Sequence, residues 1–245
     1  MSTVLITGAA KRIGLAMAEF FASSGYNIAM HCNKSEEKAK IEAERISKKF
    51  KIKCAVFKCD LSKSELIPEF FQNVLNEFKQ VDILINNASI FETSSIVDIS
   101  YHKILENFNI HFFSPVFLSQ VFAKQETLEN GLIINMLDKN ITRTQTKYFG
   151  YLHSKKALAE LTKYLALMLS PKIRVNAISP GFIIEEEGTI PNETYITKKL
   201  KSIPLQKQGS IEDIIKAVDY LLKANYVNGQ NLFVDGGSFL TTPHP

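Results

Sequence analysis

The chain opens with the sequence VLITGAAKRIG at residues 4–14, and this stretch decides the fold. Its first three residues are apolar and predict a short buried strand, the next are small enough for a tight turn, and residues 12–24 follow a helical period. Gly8 supplies conformational freedom at the turn, and Gly14 permits close packing of a helix against a strand. The stretch therefore predicts a strand, a tight turn and a helix in direct succession.

The same succession of strand and helix repeats along the rest of the chain. Further apolar runs that predict strands lie at residues 26–31, 53–59, 81–85, 131–136, 173–178 and 230–234. Helical periods lie at residues 35–50, 63–79, twice within 98–129, 148–170 and 211–224. Such alternation, with strands that are apolar on both faces, is typical of a parallel sheet with helices on both faces. The sequence predicts one α/β domain over residues 1–245, with a doubly wound, mostly parallel seven-stranded sheet.

The composition is that of an ordinary globular protein, with 45% hydrophobic and 22% charged residues. It excludes a disordered chain, a fibrous repeat and a disulfide scaffold. The net charge of +4, from 29 basic and 25 acidic residues, is too small to indicate nucleic acid or a membrane as a partner. Cys32, Cys54 and Cys59 lack the paired spacing of a zinc site, so we expect no metal and a cytoplasmic protein with reduced thiols.

The longest stretch without a clear pattern covers residues 182–208. It follows the carboxyl end of a predicted strand, and this edge of an α/β sheet is where ligands bind. Long irregular loops in compact domains are usually functional. We therefore expect a substrate lid near residues 182–208.

The turn after the first strand is a candidate phosphate-binding site, because its backbone N–H groups can approach a pyrophosphate at a helix N-terminus. NAD sites of this kind carry Asp or Glu at the end of the second strand, to bind the ribose 2′-hydroxyl. Here that place is Asn33-Lys34-Ser35, with no carboxylate before Glu36. These donors and charges, with Arg12 as a second cation, suit a 2′-phosphate and favour NADP over NAD. For Lys34, a solvated loop capped by Ser35 is the alternative.

Two further strand ends carry candidate cofactor contacts. Asp60 and Leu61 follow the third strand, where a carboxylate can accept a hydrogen bond from the adenine amino group. Asn87, Ala88 and Ser89 follow the fourth strand, where small and amide residues can lie under the nicotinamide ribose. Turn formation is the alternative for the Asn residues.

Tyr151 and Lys155 lie four positions apart on the predicted helix 148–170, so they share one helical face. A lysine cation near a phenol favours the phenolate and lowers the tyrosine pKa from about 10. A phenol tuned in this way can donate or accept a proton near neutral pH. The pair is therefore a candidate for acid–base chemistry.

Together these motifs resemble the short-chain dehydrogenase/reductase family over nearly the whole chain. The motifs are Thr7-Gly8 with Gly14, Asn86-Asn87-Ala88, Tyr151 with Lys155, Pro180-Gly181 and Val234-Asp235-Gly236-Gly237. The resemblance implies a Rossmann-type sheet, a nicotinamide cofactor and a homotetramer. It implies that Tyr151 donates the proton, that Lys155 holds the ribose hydroxyls and lowers the tyrosine pKa, and that Pro180 and Gly181 line the nicotinamide.

Three positions depart from the family's usual pattern. The family usually has Ser about thirteen residues before the tyrosine, where this chain has Asp138, and Gly in the phosphate turn, where this chain has Arg12. Its usual Asn before the fifth strand corresponds to His111 or to Asn109. These departures, with TGAAKR at the turn and NNAS-x-F after the fourth strand, resemble the pteridine reductases and the dihydromonapterin (alternative dihydrofolate) reductases.

The subgroup resemblance implies that Phe91 stacks on a pterin and that Arg12 and Ser89 contact both the pterin and the cofactor phosphates. The predicted catalytic residues are Asp138, Tyr151 and Lys155. The predicted cofactor-binding residues are Gly8, Lys11, Arg12, Ile13, Gly14, Asn33, Lys34, Ser35, Asp60, Leu61, Asn87, Ala88, Ser89, Tyr151, Lys155, Pro180 and Gly181. The predicted substrate-binding residues are Arg12, Ser89, Phe91, Asp138 and Tyr151.

The main functional interpretation is the NADPH-dependent reduction of a C=N bond in a dihydropterin or dihydrofolate-like substrate. Such a reduction delivers a proton to a ring nitrogen, which suits a carboxyl group such as Asp138 better than the serine that binds a carbonyl oxyanion. A carbonyl reductase, for example of 3-oxoacyl thioesters, is the first alternative, with Thr142 or Thr144 replacing the missing serine. An NADP-binding sensor without activity is the second, and the intact Tyr151 and Lys155 count against it.

Overall fold

The computed structural model describes residues 1–183 and 193–241. Within them, seven parallel strands form one sheet in the order β3-β2-β1-β4-β5-β6-β7. The strands are β1 (Thr3–Ile6), β2 (Asn27–Cys32), β3 (Cys54–Lys58), β4 (Ile83–Asn86), β5 (Gly131–Met136), β6 (Ile173–Pro180) and β7 (Asn231–Val234). The chain therefore has the Rossmann-type, doubly wound fold that the alternating pattern predicted, and every strand pair is parallel.

Helices cover both faces of the sheet. They are α1 (Arg12–Ser23), α2 (Glu36–Phe50), α3 (Ile67–Phe78), α4 (Tyr101–Phe108), α5 (Ser114–Ala123), α6 (Phe149–Met168), α7 (Glu193–Lys201) and α8 (Ile211–Lys223). Successive residues of β1 point to opposite faces: Val4 and Ile6 join a core with α1, α2 and α8, whereas Leu5 joins one with α3, α5 and α6. Burial on both faces explains why the strands are apolar without alternation.

The segment from α4 to α5 is nearly continuous helix, interrupted by a π-helical turn at Asn109–Phe113. Pro115 is the second residue of α5, and because it has no backbone N–H, it cannot donate a hydrogen bond to a carbonyl of the preceding π turn. The π turn contains His111, whose side chain is buried. π turns inside helices frequently occur at functional sites.

The prediction that residues 182–208 are irregular is wrong for Glu193–Lys201, which form α7. The helix is short, so its apolar residues Ile196 and Leu200 provide too few repeats for a helical period to stand out. Residues 184–192 of the expected lid lie outside the described residues. Among the residues that are described, no helix is long and apolar enough to cross a membrane, and no group of side chains is arranged to hold a metal ion.

Candidate active site

The turn after β1 and the segment after β4 are joined into one unit by hydrogen bonds. The Thr7 hydroxyl accepts from the backbone N–H groups of Asn87 (2.8 Å) and Ala88 (2.9 Å) and donates to the Ile85 carbonyl (3.2 Å). The Asn87 amide donates to the carbonyls of Thr7 (2.8 Å) and Gly8 (3.2 Å). Asn87 therefore braces the turn, which goes beyond the turn-forming role considered from sequence.

The turn forms a cradle that admits only glycine at two positions. Gly8 has a φ of +65°, and a Cβ atom on Gly14 would lie 2.3 Å from the Gly8 carbonyl oxygen and 2.8 Å from the Asn87 amide nitrogen. No acidic residue lies in the first turn of α1. A bare backbone turn at a helix N-terminus fits a pyrophosphate group. Lys11 lies exposed at the start of this helix, and Ile13 packs against the core.

Arg12 adopts a left-handed backbone conformation, with φ of +54°. Such a conformation costs a residue other than glycine of the order of 1 kcal/mol, and the family's usual residue here is glycine. The side chain is exposed at the mouth of the turn. Strain of this kind persists at functional sites, so the position is consistent with the binding role that the sequence predicts for Arg12.

The loop after β2 presents cationic and polar groups. Lys34 is exposed and forms no ion pair with a described residue. Ser35 occupies the N-cap position of α2, as predicted, but its hydroxyl makes no capping hydrogen bond. Asn33 donates to Asp60 (3.3 Å), whose carboxylate also accepts from Ser62. The loop ends of β2 and β3 therefore lie together at the predicted adenosine side.

Glu36, the first carboxylate after β2, is held by two lysines. Lys40 contacts one of its oxygens at 2.7 Å and Lys58 the other at 2.9 Å. These lysines, Lys40 first, lower the pKa of Glu36 to about 2. The carboxylate is thus already engaged, which removes the nearest acidic group that might bind a ribose 2′-hydroxyl.

His31, which the sequence analysis did not single out, holds the phosphate turn in place. Its side chain is buried, its Nδ1 accepts from the Gly8 N–H (3.0 Å), and its Nε2 lies 3.0 Å from the Cys59 carbonyl. Because a backbone N–H can only donate, Nδ1 carries no proton and Nε2–H is the donor to Cys59. Burial lowers the pKa of His31 to about 4, so the ring is neutral.

Tyr151 and Asp138 are in direct contact, although thirteen positions separate them. The Tyr151 hydroxyl donates to Asp138 Oδ2 at 3.0 Å, and Asp138 Oδ1 accepts from the backbone N–H of Asn140 at 2.7 Å. Tyr151 is buried, whereas Asp138 is half-buried. The carboxylate therefore links the buried phenol to the protein surface, and it also caps the 3₁₀ turn at Lys139–Thr142.

The prediction that Lys155 lowers the Tyr151 pKa is not what the structure shows. Burial, followed by the charge of Asp138, raises the pKa of Tyr151 well above 10. The Lys155 ammonium instead donates to the Met136 carbonyl (2.7 Å) and lies 5.9 Å from the centre of the tyrosine ring. Burial lowers the pKa of Lys155 to about 8. Spacing on the helix brings the pair to one face, but burial and the neighbouring Asp138 carboxylate set the pKa of the phenol.

Phe91 lies beside Tyr151 rather than in the core. Its ring stacks on Tyr148 (centres 4.5 Å apart, planes at 19°) and meets Tyr151 edge to face at 4.8 Å. Half of its side chain is exposed. The ring forms an aromatic wall next to the Tyr151 ring, and Tyr148 is a member of this wall that sequence reasoning missed.

His111 connects the loop that carries Phe91 to helix α6. Its Nε2 accepts from the Ile90 N–H (3.2 Å) and lies 2.9 Å from the Ser89 hydroxyl, while its Nδ1 lies 3.0 Å from the Ser154 hydroxyl. Ser154 donates in turn to the Tyr151 carbonyl at 2.7 Å. Burial, with the charge of Lys155, lowers the pKa of His111 well below 6.5. The ring is therefore neutral, with its proton on Nδ1.

The structure thus decides between the two candidates for the family's Asn position, because His111 and not Asn109 contacts the site. Pro180 and Gly181 end β6 at the same edge, where Gly181 packs so closely on Asp235 that a Cβ atom would lie 2.5 Å from its Cα. Leu61 is buried and lines a small cavity with Lys155 and His111, behind the site. The side chain of Leu61 therefore faces the protein interior.

A doubly wound parallel sheet with a glycine cradle at its first βα turn and a buried tyrosine–lysine pair at the carboxyl edge defines a nucleotide-dependent oxidoreductase of the Rossmann class. A family model described as enoyl-(acyl carrier protein) reductase matches residues 8–238. The chain belongs to the short-chain dehydrogenase/reductase family, as the sequence motifs indicated.

The similarity to characterised proteins extends over almost the whole chain. The 3-oxoacyl-[acyl-carrier-protein] reductase FabG of Staphylococcus epidermidis is 29% identical over 97% of this chain and 99% of its own length. The 3beta-hydroxysteroid dehydrogenase 1 of Eggerthella lenta is 34% identical over 97% of this chain and 94% of its own. The structure of FolM alternative dihydrofolate reductase 1 from Brucella canis, complexed with NADP, superposes with a TM-score of 0.92 at 30% identity, over 100% of this chain and 96% of that one.

Proposed function

We propose that the protein is an NADPH-dependent pteridine reductase that reduces the C=N bond of a dihydropterin or dihydrofolate-like substrate. The observation that carries the proposal is the hydrogen bond between the Tyr151 hydroxyl and Asp138. The similarity to the FolM alternative dihydrofolate reductase supports it. In this arrangement the group beside the proton donor is itself an acid, which suits a substrate that takes a proton on nitrogen.

The proton path follows from the burial of the two residues. The raised pKa of Tyr151 keeps its hydroxyl protonated at neutral pH and able to donate to a ring nitrogen. A phenolate left in this buried place is unfavourable, so the proton must be replaced quickly. Asp138 touches the hydroxyl and is half-buried, so its carboxyl group can take a proton from solvent and pass it to Tyr151.

The remaining parts of the site position the reactants. NADPH supplies the hydride when it is bound, and the cradle at Gly8 and Gly14 fits its pyrophosphate. The half-exposed ring of Phe91 offers a stacking surface for the flat pterin beside the Tyr151 hydroxyl. Lys155 is held by the Met136 carbonyl on the inner side of the site, where its ammonium can bind ribose hydroxyls.

NADP, rather than NAD, is the proposed cofactor. Lys34 is free to meet a 2′-phosphate, Arg12 adds a second exposed cation, and Lys40 and Lys58 already occupy the Glu36 carboxylate. A phosphate gains charge-assisted hydrogen bonds from such cations. NADH has no 2′-phosphate and so cannot form these contacts with the cations.

Reduction of a carbonyl group, for example in a 3-oxoacyl thioester, is the second candidate, because FabG is 29% identical over nearly the full length. A carbonyl reductase needs a hydroxyl next to the tyrosine to bind the developing oxyanion. Of the two candidates for that role, Thr142 donates to the Lys139 carbonyl (3.3 Å) and Thr144 is exposed. Asp138 places negative charge where the oxyanion would form. These observations favour the pterin substrate.

We also propose a cytoplasmic homotetramer. Phe113, Phe117, Tyr164 and Leu167 are exposed apolar side chains on α6 and on the helical segment that ends in α5. Exposed apolar surface of this kind marks interaction sites. Light scattering on the purified protein tests the assembly: a monomer at micromolar concentration contradicts it.

The decisive experiment compares NADPH oxidation with dihydrobiopterin, dihydromonapterin, dihydrofolate and an acetoacetyl thioester under identical conditions, and repeats the best substrate with NADH. We expect turnover of at least one dihydropterin, a clear preference for NADPH, and little activity with the thioester. Activity with the thioester alone supports the carbonyl reductase. Cofactor binding without turnover of any of these substrates supports the sensor.

A further inference from the structure

Lys139 is a buried lysine with no partner among the described residues. It follows Asp138 directly, its side chain is only 7% exposed, and its ammonium makes no hydrogen bond or ion pair with the part of the chain that the structure describes. Lysine is almost never so buried unless it is paired. The Lys139 ammonium is not itself enclosed, in contrast to the Arg143 Nε atom, so it stays open to a ligand. Such a group is preorganised to receive an anion.

Two further cations lie close to Lys139. Burial, followed by the charges of Lys199 and Arg143, lowers the pKa of Lys139 to about 8. Arg143 donates from Nη2 to the Thr241 hydroxyl (2.8 Å), but its Nε is buried without a hydrogen-bond partner. Lys199 extends from α7, with its ammonium 5.9 Å from the centre of the Phe182 ring. A second buried donor is therefore unsatisfied beside the first.

The two neighbouring carboxylates do not neutralise these cations. Asp235 accepts from the backbone N–H groups of Gly237 (3.0 Å) and Phe239 (2.6 Å). Asp138 accepts from Tyr151 and from the Asn140 N–H. Both carboxylates raise the pKa of Lys139, yet less than burial and the two cations lower it. The cluster keeps an excess of positive charge and of unused donors.

The cluster lies at the substrate end of the site. Lys139 and Arg143 follow β5, and Phe182 follows β6, so these residues leave the carboxyl edge of the sheet, where α/β proteins bind ligands. Lys139 is also the immediate neighbour of Asp138, which contacts the proton donor. A substituent of a substrate bound beside Tyr151 can therefore reach these cations.

We propose that Lys139, Arg143 and Lys199 form an anion-binding subsite that takes a carboxylate or phosphate on the side chain of the dihydropterin. This inference rests on the proposed function and narrows its substrate class to pterins with an anionic substituent. A carboxylate or phosphate would supply the acceptor that Lys139 and the Arg143 Nε lack. A neutral pterin side chain would leave both donors unsatisfied.

The test compares three dihydropterins: dihydrobiopterin, which has a neutral side chain, dihydrofolate, which ends in carboxylates, and a dihydropterin with a phosphate ester on its side chain. The measured quantity is the ratio of kcat/KM for each anionic substrate to that for dihydrobiopterin. Lys139→Gln, Arg143→Gln and Lys199→Gln are compared with Lys163→Gln, which removes a lysine from an exposed ion pair with Glu160. We expect each subsite variant to lower the ratio about tenfold or more and the control to leave it unchanged. The anionic substrate whose kcat/KM ratio falls more shows whether the subsite prefers a carboxylate or a phosphate.

Calorimetric titration of the NADP⁺-loaded enzyme with folate and with biopterin gives a second readout that does not depend on turnover. We expect Lys139→Gln to weaken folate binding and to change biopterin binding much less. Equal losses for anionic and neutral ligands, or no loss for either, overturn the subsite while leaving pteridine reduction intact. Failure of the unmodified enzyme to reduce or bind any of the pterins overturns the proposed function itself, and the subsite with it.

Discussion

Two buried histidines hold the cofactor half and the substrate half of the proposed site, and they do so in opposite ways. His31 fixes the cofactor half by joining the Gly8 N–H to the Cys59 carbonyl, so both of its partners are backbone groups. His111 fixes the substrate half by joining the Ile90 N–H and the Ser89 hydroxyl to Ser154. Both rings are neutral because of burial, but His31 carries its proton on Nε2 and His111 on Nδ1.

The difference shows how the halves divide specificity. The cofactor half consists of backbone turns and small residues, and the side chains of His31 and Asn87 hold it through hydrogen bonds to backbone groups. The substrate half depends on contacts between side chains, from Phe91 through His111 to Tyr151 and Asp138. Substitutions in the substrate half can therefore change the reaction without changing the fold.

The largest effect is expected for Tyr151→Phe. The ring still packs against Phe91 and His111, but the proton donor is lost, so turnover of a dihydropterin should fall by about 10²–10⁴-fold. Cofactor affinity, measured by titration with NADPH, should stay within a few-fold of the original. A smaller loss of turnover would identify another proton donor.

Asp138 is expected to rank second. Asp138→Ser places the family's usual hydroxyl beside Tyr151 but removes the group that returns a proton to it, so dihydropterin turnover should fall by about 10²-fold. The loss should increase at higher pH, where protons are scarcer. Asp138→Asn is the matched control for shape. If Asp138→Ser instead leaves pterin reduction intact and improves a thioester substrate, the carbonyl reductase is the correct assignment.

Replacing each of the two histidines in turn tests whether the two halves of the site act independently. His111→Phe leaves the Ile90 N–H unsatisfied, which costs about 1–3 kcal/mol, and we expect a raised pterin KM with little change in NADPH affinity. His31→Phe leaves the Gly8 N–H unsatisfied and should weaken NADPH binding instead. His111→Asn should rescue part of the loss. Equal effects of both Phe variants on both ligands would show that the halves are not independent.

The buried His31 is also expected to make the stability of the protein depend on pH. His31 has a pKa of about 4 in the folded protein against 6.5 for an ordinary histidine, so between these values the unfolded chain binds the proton first. The free energy of unfolding should therefore fall as the pH falls from 6.5 to 4, with about 3 kcal/mol due to His31. Denaturant unfolding at several pH values should show that the free energy of unfolding depends less steeply on pH in His31→Asn than in the unmodified protein. The same pH dependence in both proteins would contradict the conclusion that the His31 ring is buried and neutral.

The smallest effect is expected at Arg12. Arg12→Gly removes the strain of a φ of +54° and should stabilise the fold by up to about 1 kcal/mol while weakening NADPH and pterin binding. Lys51→Gly is the matched control, because Lys51 has a φ of +56° at the end of α2 opposite to Ser35. Thermal unfolding and KM for both ligands distinguish the two. Unchanged KM values in Arg12→Gly would remove Arg12 from the site.

The sequence alone determined the fold, and it predicts the residues on the cofactor side of the site. Strand and helix periods are local properties, so the seven strands, the helices around them and the turn at Gly8 and Gly14 could be predicted from neighbouring residues. The four-residue spacing of Tyr151 and Lys155 on a helix is equally local. The helix α7 was not predicted because it is too short for its apolar residues to show a helical period.

Only the tertiary structure decided the chemistry of the substrate side. The contact between Tyr151 and Asp138, the choice of His111 over Asn109, and the burial of Lys139 all arise where segments distant in sequence meet. The pKa of Tyr151 was predicted in the wrong direction for the same reason. Helical spacing places Lys155 near the phenol, but burial and the Asp138 carboxylate, which packing alone brings there, outweigh the distant ammonium.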